Sequence, residues 1–395
     1  MSDELIRTFW PDWFAWMVAP VLVFEAARSA RIQIRIGRRT ARDAYLVSAA
    51  EGLLFFACLT ARTPLVFLVC ACLHVAMIAY REGGIWRRGV VSTLSMLVAA
   101  GALAFGTRAT TFETLALGGV VDETIRSVVL TLLAIACVLS LLPVKVEDEA
   151  KGAQVAPLAL VAFARMAVPL ATNEPRATLV VPLIAIAISL ISALWLLTAG
   201  MRANHFERES LVSELLVCER GVLFSFVWMG LASGDQEAGV GAVIEWWAGA
   251  LALVALESSL RVKVLPKPMA FFALAMAVGL PGTVGFVAED LLAHGLLELR
   301  PVLAAGFVAV GAVNAAALFL SLVNVIADGG YDPREAPQPT PGMIIPALFS
   351  LVIGLAPRPF VTGAMLAHRA TGGAEEGPVS THMHPAADTY DIPPP

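Results

Sequence analysis

The chain has 395 residues, of which 58% are hydrophobic and only 15% charged, a composition well outside that of ordinary soluble domains. Its net charge of −5 comes without a basic tail or stripe, which excludes the nucleic-acid-binding class. Apolar runs long enough to cross a bilayer core of about 30 Å recur from Phe9 almost to Phe360, and they predict an all-α, polytopic transmembrane helical bundle.

Apolar runs bounded by charged residues, proline or glycine divide the chain into about twelve predicted spans. We place them at 9–27, 44–60, 63–80, 89–106, 127–143, 154–172, 177–199, 214–233, 239–260, 268–299, 301–327 and 343–362. Only residues 61–63 separate the second span from the third, which predicts a tight helical hairpin or a re-entrant segment. The sequence thus predicts a transmembrane helical domain over residues 1–370.

The basic residues between the spans predict an orientation. Six arginines lie between Arg28 and Arg42, after the first span, and three more lie between Arg81 and Arg88, after the third. Short loops rich in lysine and arginine stay on the cytoplasmic side of a membrane. We therefore expect an integral protein of the bacterial inner membrane with both termini outside.

The C-terminal segment 371–395 has a different composition from the rest of the chain. It is rich in proline, glycine, serine, threonine and acidic residues and has no apolar periodicity, which predicts a flexible tail. His382 and His384 lie in it, but two histidines in a flexible tail are a weak signal for a metal. We predict no metal site there.

Two acidic residues in the span 268–299 are the strongest candidates for a function inside the membrane. Glu289 and Asp290 follow Pro281, Gly282 and Gly285, and these three residues predict a break in a helix too long for one straight span. A broken helix exposes backbone carbonyls and amides beside a carboxylate, an arrangement that membrane proteins use to bind ions or relay protons. The alternative is a kinked packing helix whose acids reach the interface.

A histidine one helical turn later belongs to the same candidate site. His294 lies four residues after Asp290, so the two side chains are expected to meet. The ordinary pKa of a histidine is near 6.5, which suits a proton relay.

Further polar residues interrupt other apolar runs. A charge at this depth costs a few kcal/mol on insertion scales and therefore marks either a path for ions or a structural pair. Arg165 fits a relay or an ion pair equally well, and Glu51 and Glu245 are expected to lie deep. His74 suits packing or a relay. We interpret Glu219, which is followed by an arginine and a glycine, as part of an interfacial charge pair.

No motif for a cofactor or for catalysis is found. The five cysteines lie in apolar stretches without a CxxC pair or a nearby histidine at ligand spacing, and small buried packing residues are the ordinary use of such cysteines. There is no nucleotide-binding loop, no haem-ligand histidine pair and no nucleophile triad. We expect no cofactor and no catalytic activity of the chain alone, although it fits a subunit of a translocating oxidoreductase.

The segment Leu280-Pro-Gly-Thr-Val-Gly-Phe-Val-Ala-Glu-Asp-Leu-Leu292 resembles the broken late helix of a known family. The family comprises the antiporter-like membrane subunits of respiratory complex I, of membrane-bound hydrogenases and of Mrp-type cation/proton antiporters. Some members carry a Leu-Pro-Gly-Thr run followed by Phe-Val-Gly-Glu, and their carboxylate, a proposed proton-path residue, falls on Glu289. The stretches 208–221 and 86–94 are loosely similar to two other helix starts of the family.

The chain also departs from the family's pattern. Members that pump usually carry a glutamate in an early span and lysines in two central spans. Here the early stretch 67–74 has no acid, the spans 127–143 and 177–199 contain no lysine, and the span 154–172 offers only Arg165.

The resemblance implies a membrane subunit of a multi-protein complex that conducts protons or cations. Its conduction would be coupled to the redox or carbon-uptake chemistry of other membrane or peripheral subunits, and Glu289, Asp290, His294 and Arg165 would lie on the path. The missing lysines favour an alternative, a membrane anchor that has lost conduction and holds a catalytic partner. An independent transporter of a small organic solute is a third possibility.

Overall fold

A computed structural model describes residues 12–35, 40–82, 87–107, 111–116, 121–143, 155–171, 176–202, 208–261, 267–328 and 340–371. The predicted flexible tail from residue 372 onward, with His382 and His384, lies outside the described residues.

The described residues fold into a succession of helices. The first six are α1 Trp13–Arg35, α2 Ala41–Thr60, α3 Pro64–Glu82, α4 Arg87–Gly106, α5 Phe112–Ala116 and α6 Glu123–Leu141. The helix α7 has three successive segments, Val155–Ala162, the π-helical Phe163–Ala167, and Val168–Ala171. The C-terminal half contains α8 Ala177–Met201, α9 Arg208–Ala232, α10 Gln236–Leu260, α11 Lys267–Ala277, α12 Val284–Leu299, α13 Pro301–Asp328, α14 Pro341–Leu355 and α15 Arg358–Ala370.

The lengths and compositions of these helices make the chain an integral membrane protein. Among the described residues, seven helices are long and apolar enough to cross a membrane, or eight if α14 and α15, which meet at 90°, form one broken span. The all-α bundle is confirmed, whereas the predicted count of twelve spans is not. The difference arises partly because three apolar stretches are shorter than a full span: Pro64–Tyr80 of α3, Ala156–Ala171 of α7, and α11.

The helices α9 and α10 form the centre of the bundle. The apolar windows of both helices are completely buried, because α9 packs against α8, α10 and α13 while α10 packs against α1, α12, α14 and α15. Their apolar residues lie on all sides rather than along one stripe, which is the pattern of a helix enclosed by protein. A charged residue in the middle of α9 or α10 therefore lies in the protein interior.

Candidate functional site

The predicted helix break lies between α11 and α12. The helix α11 ends at Ala277, and α12 begins after Thr283, whose side chain accepts a hydrogen bond from the N–H of Phe286 at 3.4 Å. Pro281 and Gly282 lie in the connection, as predicted. Gly285 does not, because it is already in the first turn of α12, where its Cα packs close to the carbonyl of Met276.

Glu289 points back at this break. A Cβ atom added to Gly279 would lie 2.6 Å from the carboxyl carbon of Glu289, so the carboxyl group rests directly on the glycine backbone. Gly279 has a φ of +59°, in the left-handed region that favours glycine. The break thus supplies the space for the carboxylate, whereas the backbone N–H groups of Val278, Gly279, Leu280 and Thr283 are already hydrogen-bonded.

Glu245 is the second carboxylate of the site. It lies in the middle of α10, its side chain is buried, and neither of its carboxylate oxygens has a hydrogen-bond partner among the described residues. The charges of Glu289 and Glu219 both act on it. Because a buried carboxylate without hydrogen bonds is costly to keep charged, Glu245 is a candidate for binding a proton or a cation.

Glu219 is the third carboxylate, and the structure corrects the interpretation of it as an interfacial residue. It lies in the middle of α9 and is fully buried. Its Oε2 accepts a hydrogen bond from Nδ2 of Asn314 in α13 at 3.0 Å. Within the described residues, Oε1 of Glu219 and Oδ1 of Asn314 have no hydrogen-bond partner. Two hydrogen-bond acceptors in this part of the core are therefore unsatisfied.

We refer to Glu219, Glu245 and Glu289 as the carboxylate cluster. In the described residues, Glu219 and Glu245 lie close enough to Glu289 for their carboxylates to interact electrostatically with it. Neighbouring carboxylates in an apolar interior are costly to keep charged together, which favours the uptake of protons or a cation. No three side chains of His, Cys, Asp or Glu in the described residues are arranged to hold a metal ion.

Asp290 and His294 face away from the cluster. His294 Nδ1 lies 3.0 Å from the backbone oxygen and 3.5 Å from Oδ1 of Asp290, which confirms that the two residues are in contact. Their side chains are 54% and 63% exposed, respectively. They lie on the outer face of α12, whereas Glu289 faces the break.

Arg165 is held in an ion pair. Its two terminal nitrogens donate to the two carboxylate oxygens of Asp12, and Nη2 also donates to the backbone oxygen of Leu59 at 2.5 Å. The guanidinium carbon lies 5.0 Å from the ring centroid of Phe14, a cation–π contact. The structure therefore favours the structural ion pair over the relay.

The π-helical turn around Arg165 has an identifiable cause. Pro169 has no N–H to donate to the carbonyl of Arg165 four residues earlier. The N–H of Val168 bonds instead to the carbonyl of Phe163, five residues back. The wider turn accommodates the proline within the apolar helix and helps to place the guanidinium beside Asp12.

Glu51 and His74 are buried in the α2–α3 pair. The centroid of the His74 ring lies 5.5 Å from that of Phe55, four residues after Glu51 on α2. The carboxylate cluster, in contrast, belongs to α9, α10 and α12. The structure thus shows both residues buried, but on different helices from the cluster.

Sequence reasoning did not identify Asp12, the partner of Arg165, or Asn314, the partner of Glu219. It named Glu219 but placed it at the interface. Asn314 is one of two asparagines among the apolar residues of the span 301–327, and this is the signal that was available for it, because a buried amide needs a polar partner.

Comparison with known proteins identifies relatives by structure and not by sequence. No family model matches the chain, and no curated protein matches its sequence. A chain of respiratory complex I from Thermus thermophilus with bound NADH has a TM-score of 0.66 at 18% identity, over 90% of this chain and 84% of that chain.

Two other membrane complexes contain similar chains. A chain of the membrane-bound sulfane sulfur reductase, an archaeal respiratory membrane complex, has a TM-score of 0.68 at 13% identity, over 92% of this chain and 83% of that one. A chain of the Mrp complex from Dietzia sp. DQ12-45-1b has a TM-score of 0.62 at 13% identity, over 91% and 83%. This chain therefore has the fold of the antiporter-like membrane subunits that its sequence resembles around Glu289.

Proposed function

We propose that this protein is a membrane subunit of a multi-protein complex and conducts protons or cations through its helical bundle. The carboxylate cluster is the centre of the proposed path, with Glu245 and Glu289 as the groups that bind and release the ion. Glu51, His74, Asp290 and His294 stay predicted path residues, whereas Arg165 is assigned to the ion pair with Asp12.

The observation that carries this proposal is that carboxylate oxygens of the cluster lack hydrogen-bond partners among the described residues. Among the residues that the structure describes, both carboxylate oxygens of Glu245 and one of Glu219 lack a hydrogen-bond partner, and both residues lie in fully enclosed helices. A carboxyl group kept only for packing would be expected to have its hydrogen bonds satisfied. Titratable residues retained at this depth in a membrane protein more often mark an ion or proton path.

The partner subunits are proposed from the fold. Two of the similar chains belong to respiratory complexes and one to an Mrp complex. We propose that ion conduction is coupled to the redox or carbon-uptake chemistry of a partner, because no catalytic motif is found in this chain. The proposed location is the bacterial inner membrane, with both termini outside, on the basis of the arginine-rich connections near Arg42 and Arg88.

A conduction-deficient anchor is the second candidate function. Two observations favour it: Arg165 is held by Asp12, and the central spans lack the lysines that pumping members of the family carry. On this hypothesis the carboxylate cluster would be protonated permanently, and its members would contribute only volume and hydrogen bonds.

Replacement of Glu289 and Glu245 by glutamine separates the two functions. Each change preserves the size of the side chain but removes its ability to bind and release a proton. In proteoliposomes that contain the purified complex, we expect Glu289→Gln and Glu245→Gln each to lower proton or cation flux at least roughly tenfold. Flux is measured with a trapped pH-sensitive dye or a radioactive cation under an imposed membrane potential.

The matched control is Glu298→Gln, because Glu298 is an exposed residue of the same helix as Glu289. This variant should conduct as the wild type does, and all three variants should assemble with their partners. Unchanged flux in both Glu289→Gln and Glu245→Gln would refute conduction through the cluster and leave the anchor function.

A further inference from the structure

A cavity of about 400 Å³ lies where the ends of α1 and α10 meet the beginning of α14. Its lining includes Arg31, Glu257, Ser258, Arg261, Thr340 and Gly342. Its volume falls in the range of small-molecule sites, roughly 300–1,000 Å³. The carboxylate cluster, by contrast, lies at the middle of the helices, so this cavity is a separate feature of the fold.

Arg31 presents positive charge to the cavity. Its Nη1 donates a hydrogen bond to Oγ of Ser258 at 2.8 Å, and its side chain is otherwise exposed. In the described part of the chain, no carboxylate pairs with Arg31. The guanidinium therefore has donors left over for an anion, since an arginine carries five N–H groups.

Gly342 allows Arg31 to take this position. A Cβ atom at residue 342 would overlap Nη1 of Arg31 and lie 2.5 Å from Oγ of Ser258. The absence of a side chain thus brings the guanidinium and the hydroxyl directly against the first turn of α14.

Glu257, the one carboxylate among the described residues that line the cavity, is already engaged. Glu257 Oε2 accepts from Nε of the buried Arg28 at 2.8 Å, and its Oε1 lies 3.5 Å from Nε of Arg261. Because this carboxylate interacts with two guanidiniums, it leaves little negative charge to compensate Arg31. The lining is therefore electropositive.

The beginning of α14 adds to the positive potential. Its N-cap residue, Thr340, makes no capping hydrogen bond with its side chain, and Pro341 follows as the first helical residue. A helix N-terminus carries a partial positive charge and attracts anions. A guanidinium beside a helix N-terminus is unfavourable unless an anion lies between them.

We propose that this cavity binds a phosphate group, supplied by the headgroup of an anionic phospholipid or by a soluble phosphate compound. The phosphate oxygens would accept from Arg31 and Arg261, from the hydroxyl of Thr340 and from the backbone N–H of Gly342, since the N–H groups of Met343 and Ile344 already bond to the carbonyl of Thr340. The cavity opens at the ends of membrane helices, where basic pockets between helices bind lipid headgroups.

The proposal is tested by titration of the purified full-length protein, together with any partner subunits that co-purify. The readouts are the midpoint of thermal unfolding and lipid retention in native mass spectrometry. Phosphatidylglycerol is compared with phosphatidylcholine, and sodium phosphate with sodium chloride at equal ionic strength. We expect phosphatidylglycerol or sodium phosphate, but neither reference compound, to raise the midpoint; which of the two does so identifies the source of the phosphate.

Two variants and one control locate the binding. Arg31→Gln removes the charge, and Gly342→Ala displaces the guanidinium while keeping it; each should weaken the apparent affinity about tenfold. Arg202→Gln is the control, because Arg202 is an exposed arginine at the end of α8, and it should bind as the wild type does. If Arg31→Gln does not fold, Gly342→Ala alone decides. No stabilisation of the wild type by either phosphate source, or wild-type affinity in a folded variant, would overturn the proposal.

Discussion

The contact between Gly279 and the carboxyl group of Glu289 leaves no room for a side chain at position 279. An alanine at position 279 would combine an unfavourable positive φ with a collision against the carboxylate. We expect Gly279→Ala to lower ion flux in proteoliposomes severalfold and to destabilise the protein by about 1–2 kcal/mol. The first effect is measured as in the glutamine variants and the second by thermal unfolding in detergent.

Gly282 provides the matched control for this prediction. It has a φ of +90°, but a Cβ atom at this position would meet no atom within 4 Å. The backbone strain of Gly282→Ala should therefore resemble that of Gly279→Ala, while Glu289 stays in place. Equal loss of flux in the two variants would show that strain in the break, rather than the position of Glu289, limits conduction.

At the level of single residues, the sequence predicted Glu289 and Glu245 as candidate path residues but placed Glu219 at the interface. Pro281 and Gly282 mark the break, so the position of Glu289 beside it follows from local chemistry. Glu219 was misplaced because an acid–arginine–glycine run resembles the start of a span. The helix in fact begins eleven residues earlier, at Arg208, which places Glu219 roughly 16 Å along its axis. The start of a helix is hard to recognise from the sequence when its first turns are polar and amphipathic.

At the level of elements, α14 stabilises the connection between α11 and α12 through two contacts. The side-chain oxygen of Ser350 accepts a hydrogen bond from the N–H of Val284, the first residue of α12, at 3.2 Å. One turn later, Gly354 packs directly on the backbone of Gly282 and Thr283, where an added Cβ atom would lie 2.6 Å from the carbonyl carbon of Thr283. Both contacts hold the connection between α11 and α12 in one conformation.

Gly354→Ala should therefore weaken the site from a distance. The neighbouring atoms belong to the backbone and cannot rotate away, so α14 would have to shift. We expect a loss of about 1–3 kcal/mol of stability, measured as a lower midpoint of thermal unfolding, together with reduced ion flux. Gly311→Ala in α13, whose Cβ would meet nothing within 4 Å, should lower neither quantity. Similar midpoints of thermal unfolding for the two variants would contradict this stabilising role of α14.

Some of these structural elements could be predicted from the sequence and others could not. Pro281 and Gly282 predict the break between α11 and α12 because both residues disfavour a continuous helix. The packing of α14 on that break depends on residues about 70 positions away, which no local pattern reveals. The π-helical turn at Phe163–Ala167 was likewise not predicted, because a proline inside an apolar run is compatible with a kink, a break or a wider turn.

At the scale of the whole molecule, composition alone was sufficient to predict a helical membrane bundle, because backbone groups in a bilayer must be satisfied within each segment. The number of spans was harder to predict. Apolar runs such as Pro64–Tyr80 and Ala156–Ala171 are shorter than a full span, so hydropathy does not determine whether they cross the membrane. The enclosed pair α9 and α10 was also not predicted, since lipid and a protein interior favour the same apolar residues.

The orientation of the molecule is testable with two cysteines. Arg42, at the beginning of α2, and Arg176, at the beginning of α8, are both exposed, and the arginine distribution predicts that they lie on opposite sides of the membrane. With both termini outside, an impermeant maleimide should label Arg176→Cys in intact cells and should label Arg42→Cys only after the membrane is permeabilised. The wild type measures the background from the five native cysteines. Labelling of Arg42→Cys but not Arg176→Cys in intact cells would reverse the orientation, and equal labelling of both before permeabilisation would mean that the two helices begin on the same side.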